Sequence, residues 1–275
     1  MSAEVLVPLD GSELADSAVA HAAEIARRVD GSLHLVRVHV PLRTFVVPSD
    51  SVVSIPDPVL DEQLRAEAEA WIERRAHAVS ALNDIPVTWE LRIGLPEAEV
   101  VLAAAARRAR LIECQKRGTG GAATRWLGSV ADSIVRHACC PVLAMSPEAA
   151  RRDVHLHRVL VLLDGSEASG AIIPHAAWLA NAFGAEIDYL RLIPAPENPS
   201  QAILDYVAKT RPDVVALSTH GRGFLRLFLG GVADDVVRKC DRPTLVFRPQ
   251  GLDWSKAATG AVGAVEATPG RGPGE

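Results

Sequence analysis

The sequence predicts an α/β fold, a mostly parallel sheet wound with helices on both faces, written twice in one chain. Three observations carry that prediction. Apolar runs of strand length alternate with longer segments of helical periodicity, the pattern of strand–helix–strand units. Val5-Leu6-Val7-Pro8-Leu9-Asp10-Gly11-Ser12-Glu13 returns as Val159-Leu160-Val161-Leu162-Leu163-Asp164-Gly165-Ser166-Glu167, and at the same offset of 154 the agreement runs on to Arg37 and Arg191. Agreement of that length without a gap indicates internal duplication. Near the end of each copy the match resumes, Gly118 with Gly221, Val130-Ala131-Asp132 with Val232-Ala233-Asp234 and Pro141 with Pro243, now at an offset of 103 falling to 102.

In copy one the order is strand 4–9, helix 13–29, strand 33–39, helix 60–82, strand 87–93, helix 96–108, strand 110–114, helix 129–138 and strand 141–145. Pro41 to Pro58 reads as a long loop rich in proline and serine, which either lies over the ligand crevice or simply connects. The next helix carries one apolar stripe, Leu60, Leu64, Trp71, Ile72 and Val79, with Glu62, Glu69, Glu73 and Arg74 turned to water. Residues 86–93 alternate like an edge strand. Copy two runs strand 159–163, helix 168–183, strand 186–193, helix 200–210, strand 213–218, helix 232–240 and strand 243–248. It lacks the counterpart of the 60–82 helix and the 87–93 strand. Pro174 falls inside its first helix, where a missing N–H should bend it.

Composition excludes several functions. With 48% hydrophobic and 23% charged residues and a net charge of −5, the chain has a globular profile and no basic stripe for nucleic acid. Its start lacks a signal-peptide pattern, and no apolar run of ~18 residues could span a bilayer, so a cytoplasmic location is expected. Cys114, Cys139, Cys140 and Cys240 have no C-x-x-C spacing and no paired histidines, so they read as idle thiols.

Asp10 and Asp164 close the first strand of each copy, at the end where open parallel sheets bind ligands. Two readings stand for such an acid: acceptor for a base or ribose, or turn and capping group together with Ser12 or Ser166. The stretch from Gly118 to Ser129, with glycines at 118, 120, 121 and 128, follows a strand and enters a helix. Glycines let N–H groups turn to a ligand and the helix N-terminus adds positive charge, which suits phosphate, with Lys116, Arg117 and Arg125 to add more. The other reading is a connecting loop with Ser129 as an ordinary N-cap. No lysine stands at Walker spacing. His220 lacks a nucleophile or second acid in defined relation and reads as a solvent-facing loop residue, while His21 and His175 recur in register and read as helix positions at the edge of packing. No catalytic residue and no metal-ligand set is assigned.

The acid after strand one, the glycine loop after strand four and the Pro-Val-Leu or Pro-Thr-Leu-Val final strand together resemble the universal stress protein family. The resemblance covers 4–145 as a whole domain and 159–248 as a shortened one. It implies a five-stranded sheet in the order 3-2-1-4-5, which makes the strand missing from copy two an edge strand. It also implies tandem or dimeric pairing through the final strands, here Pro141–Met145 and Pro243–Phe247, and in one branch ATP binding. That branch carries Gly, two residues, Gly, nine residues, Gly, then Ser or Thr. Gly118, Gly128 and Ser129 fit, placing them on the phosphates with Asp10 near the base or ribose, but Gln115 replaces the first glycine. If that position needs a left-handed backbone, a Cβ there costs roughly 1–2 kcal/mol, and the long side chain would take space near the phosphates. Glu113 falls where an apolar core residue is expected, and a charge there must be paired or protonated. Copy two has Ser218 for the first glycine, eight residues before Gly230 and Gly231 for the hydroxyl residue, which implies lost nucleotide binding.

The expected organisation is a complete universal stress protein-like domain at 1–148, a linker at 149–157, a truncated second domain at 158–249 and a disordered tail at 250–275 with Trp254 its bulky anchor. The expected function is a cytoplasmic, non-enzymatic stress-response regulator that acts through partner contacts, with ATP as the ligand its first domain could take. An enzyme of the same fold that hydrolyses or transfers from a nucleotide is the alternative. The expected partners are the other repeat as an intramolecular pseudo-dimer, a second copy of the chain and a protein partner, with neither nucleic acid nor membrane.

Overall fold

Branched apolar runs give the strands of one continuous sheet. The structure is a computed structural model that describes residues 3–46, 53–116, 127–146, 149, 155–192, 197–219 and 231–249. The first copy supplies β1 (Glu4–Leu9), β2 (Ser32–His39), β5 (Val87–Ile93), β6 (Leu111–Gln115) and β7 (Val142–Met145). The second supplies β8 (Arg158–Leu162), β9 (Glu186–Leu190), β10 (Val214–Ser218) and β11 (Thr244–Phe247). Their spatial order is β5-β2-β1-β6-β7-β11-β10-β8-β9. Each copy thus follows the 3-2-1-4-5 order, the second without its third strand.

In the nine-stranded sheet every pairing inside a copy is parallel. The copies join where β7 runs antiparallel to β11, Val142 opposite Val246 and Leu143 opposite Leu245. Deleting an edge strand leaves no interior backbone group without its partner, which is why the shortened copy keeps an intact sheet.

Helices α1 (Glu13–Arg28), α2 (Pro58–Asn83), α5 (Glu167–Gly170) and α6 (Ile173–Phe183) follow β1, the β2 connection and β8. They cover one face of the sheet, where Val5, Val7, Leu33, Leu35, Leu111, Val159 and Val161 are buried. The helices α3 (Pro96–Arg107), α4 (Ser129–His137), α7 (Pro199–Thr210) and α8 (Gly231–Lys239) cover the other, over Leu6, Val36, Ile112, Val215 and Val246. Cation–π contacts from Arg28 to Phe183 at 4.9 Å and Arg110 to Trp178 at 5.0 Å bridge the copies on the first face. On the second, Arg238 reaches Asp132 at 2.8 Å.

Three expectations are corrected. The helix expected over 168–183 is two, α5 and α6, broken at Ala171 and Ile172. Pro174 has no N–H to offer the Gly170 carbonyl, so the helical hydrogen bonding lapses at Ala171 and Ile172, whose backbone stays right-handed helical, and resumes with Pro174 in the first turn of α6. The loop expected over 41–58 contains β3 (Arg43–Val46) paired antiparallel with β4 (Val53–Pro56). In α2 the buried residues are Ala68, Ile72, Ala76 and Val79, whereas Leu60 and Leu64 are 42% and 39% exposed. The tail from 250 and its Trp254 lie outside the described residues.

Candidate functional site

β1 ends in a turn built by its own side chains. Asp10 Oδ1 accepts from the Ser12 amide at 2.9 Å and the Ser12 hydroxyl at 2.6 Å, and Ser12 Oγ accepts from the Ala15 amide at 3.1 Å to cap α1. Asp10 therefore shapes the turn and Ser12 caps the helix. Asp10 is exposed, and among the described residues no donor reaches its Oδ2. Gly11 has φ 87°, and a Cβ there would stand 3.2 Å from Arg37 Nη2, so the turn takes glycine for both conformation and space. Copy two repeats this turn, with Ser166 on Asp164 Oδ1 at 2.9 and 2.6 Å, Gly165 at φ 87° and Arg191 against it. Arg37 and Arg191 recur at the duplication offset, but the sequence reading gave them no role.

The glycine segment leaves and returns beside the end of β6. The Lys116 amide donates to the Met145 carbonyl, and the Gly128 amide donates to the Lys116 carbonyl, both at 2.7 Å. Gly128 is the N-cap of α4 with φ −61° and no side-chain capping bond, so Ser129 is the first helical residue and not the expected N-cap. Its hydroxyl is not consumed by capping. Since β1 pairs with β6, Asp10, Gly128 and Ser129 arrive at the carboxyl ends of adjacent strands. Gly118, Arg117 and Arg125 lie outside the described residues, as do His220, Gly221 and Gly230 of copy two.

The backbone cost anticipated for Gln115 does not arise. Gln115 belongs to strand β6, is absent from the positive-φ residues, and donates from Nε2 to Ser17 Oγ at 3.1 Å, turning its side chain down onto α1. Lys116 turns the other way, toward copy two. Its Nζ donates to the carbonyls of Cys240 at 2.9 Å and Arg242 at 3.1 Å and to Thr244 Oγ1 at 2.9 Å, so its charge serves the joint between copies. Burial pulls the ammonium down to about 8.

Glu113 is fully buried and paired, as the sequence required. Its partner is His21 Nδ1 at 3.0 Å, and with His21 only 5% exposed, the edge-of-packing reading of that histidine is corrected. Burial raises the Glu113 carboxyl above its ordinary range, opposed by the His21 charge and hydrogen bond. His175 has no such acid, because Ala216 occupies the position of Glu113. It packs on the Phe247 ring at 4.2 Å beside Arg110, and burial followed by the Arg110 charge brings it down to about 4. In copy two the hydroxyls of Ser218 and Thr219 are buried without a hydrogen-bond partner among the described residues.

Among the described residues no group of three His, Cys, Asp or Glu side chains is placed to hold a metal, and no helix is long and apolar enough to cross a membrane. The four cysteines are free, and only Cys139 is exposed.

The family described as the universal stress protein family matches residues 1–146 and 196–248. A universal stress protein of Methanocaldococcus jannaschii is 29% identical over 146 residues, covering 52% of this chain and 81% of the relative. One of Mycobacterium tuberculosis is 27% identical over 303 residues, covering 89% of this chain and 94% of the relative. The crystal structure of a universal stress protein from Archaeoglobus fulgidus matches with a TM-score of 0.69 at 17% identity, over 89% of this chain and 98% of that one, a likeness of fold.

Proposed function

The chain belongs to the universal stress protein family, and on that premise we propose that it is a stress-response regulator which works through partner contacts without catalysis and whose first repeat holds an adenine nucleotide. One observation carries the nucleotide part. The carboxyl ends of β1 and β6 bring together Asp10, whose Oδ2 has no donor among the described residues, and Gly128–Ser129, whose amides and hydroxyl open α4. A helix N-terminus with uncapped N–H groups favours phosphate, and a carboxylate oxygen suits a ribose hydroxyl or a base amine. Asp10 would take the base or ribose, and Gly118, Gly128 and Ser129 the phosphates. Gln115 is no obstacle, since its side chain is committed to Ser17.

The test is to denature freshly purified protein, measure released nucleotide by ion exchange with absorbance at 260 nm, and titrate ATP by calorimetry. Near-stoichiometric nucleotide or micromolar affinity, weakened about tenfold or more in Ser129→Ala and Asp10→Ala, supports the reading. A blank in both measurements overturns it and leaves partner contacts alone. ATP turnover that disappears in Asp10→Ala would replace the sensor with a hydrolytic enzyme.

A further inference from the structure

On the face of the sheet opposite α3 and α4, the end of β2 and the side of α2 enclose a cleft of about 580 Å³. Its floor is Arg37, whose guanidinium lies over the Trp71 ring at 4.6 Å. Arg74, one turn along α2, stands at the same opening, with Leu64 and Val40 as apolar wall and Glu67 as the one carboxylate among the described lining residues.

Arg37 is unusual in what it lacks. Half-buried, it has no hydrogen-bond acceptor and no ion-pair partner among the described residues, and neither has Arg74. Burial lowers the pKa of the Arg37 guanidinium from its ordinary value, with the Asp10 charge opposing. A guanidinium offers five donors, and holding it partly out of water with none of them used is costly unless something else accepts from it. His39, also in the cleft, is committed elsewhere, its Nε2 at 2.8 Å from Asp61 Oδ1, which also accepts from the Leu42 amide.

Copy two serves as an internal control. Arg191 occupies the place of Arg37 against the same glycine turn, but no counterpart of α2 stands over it and it is exposed. The segment that distinguishes the copies is the segment that builds the cleft.

We propose that this cleft is a binding site for a small monocarboxylate with an apolar body, an aromatic ring or a short chain. The cleft lining carries two guanidiniums, Arg37 and Arg74, and one carboxylate, Glu67, which favours an anion of low charge. The planar fork of Arg37 takes both oxygens of a carboxylate, and Trp71, Leu64 and Val40 take the apolar part. The volume falls within the range of small-molecule sites, about 300–1,000 Å³. The cleft adjoins the proposed nucleotide site where Arg37 lies against Gly11, but its walls are on the other face from α4 and Ser129.

The experiment titrates the full chain with 2-naphthoate and with octanoate, using calorimetry and tryptophan fluorescence, with the uncharged 2-naphthamide as control. Expected are saturable one-to-one binding of a carboxylate, a loss of about tenfold or more in Arg37→Met and with the amide, and a smaller loss in Arg74→Met. Ser129→Ala should bind the carboxylate unchanged, which separates this site from the nucleotide site. Absence of saturable binding by either carboxylate, equal binding of the amide, or unchanged affinity in both arginine variants overturns the proposal. If Arg37→Met melts at a lower temperature, the exposed Arg74 decides alone.

Discussion

Lys116 Nζ donates to the Cys240 carbonyl oxygen at 2.9 Å, joining the end of β6 to the end of α8 across 124 residues of sequence. A helix ends with unpaired carbonyls, and a cation there completes them while opposing the helix dipole. Here the cation comes from the other repeat, so α8 is capped only when the two copies are docked.

The buried ammonium gives that docking a signature in pH. Its ionisation falls at about 8 in the folded protein against an ordinary 10.5. Between those values the unfolded chain holds a proton the folded one has released, so folding stability rises as pH climbs through the window. Below it both states are protonated and the cost of burying the charge is constant. The stability of the parent minus that of Lys116→Met should therefore rise by about 3 kcal/mol from pH 8 to pH 10.5, read from urea denaturation at several pH values. A difference independent of pH would show that the ammonium is hydrated.

The His21–Glu113 pair should be strongly coupled. His21→Leu leaves a fully buried carboxyl without its partner and should cost about 3–5 kcal/mol. In the double variant His21→Leu/Glu113→Leu most of that cost should be recovered, because the charge goes with the histidine. A double-mutant cycle by chemical denaturation should give a coupling of about 2 kcal/mol or more, and additive effects would exclude a functioning pair.

Gln115→Gly should harm and not help. The variant loses the bond to Ser17 and places glycine at the end of a strand, costing about 1–2 kcal/mol. ATP affinity should change by less than about threefold, since the side chain points to α1. A large gain in affinity, measured by calorimetry, would show that the glutamine blocks the phosphates.

What could be read in advance was whatever repeats or alternates locally. The twin turns at Asp10 and Asp164 and the final strands stand out by duplication, and the parallel sheet by alternation of apolar runs. Contacts made far along the chain were hidden. Gln115 and Lys116 are neighbours whose side chains take opposite faces toward Ser17 and Cys240, 98 and 124 residues away, and nothing local says so. The same holds for His21, whose acid lies 92 residues downstream. The β3–β4 hairpin was masked by its prolines and serines, which read as loop. In the α2 stripe, period alone ranked Leu60 and Leu64 as core, although the alanines at 68 and 76 allow the close approach to the sheet. Arg37 was visible only as a repeated letter, and its meaning depends on Trp71 standing above it.

Because β7 and β11 are hydrogen-bonded like any other pair of strands, the two repeats form one beam and not two plates on a hinge. Tandem domains ordinarily swing on their linker. Here any swing would have to tear main-chain bonds along the seam. Nine strands spaced about 4.8 Å apart give a beam of roughly 40 Å, sheathed by α2 near one rim and bare of that helix near the other. Such a beam comes apart into two halves only by breaking the β7–β11 pairing.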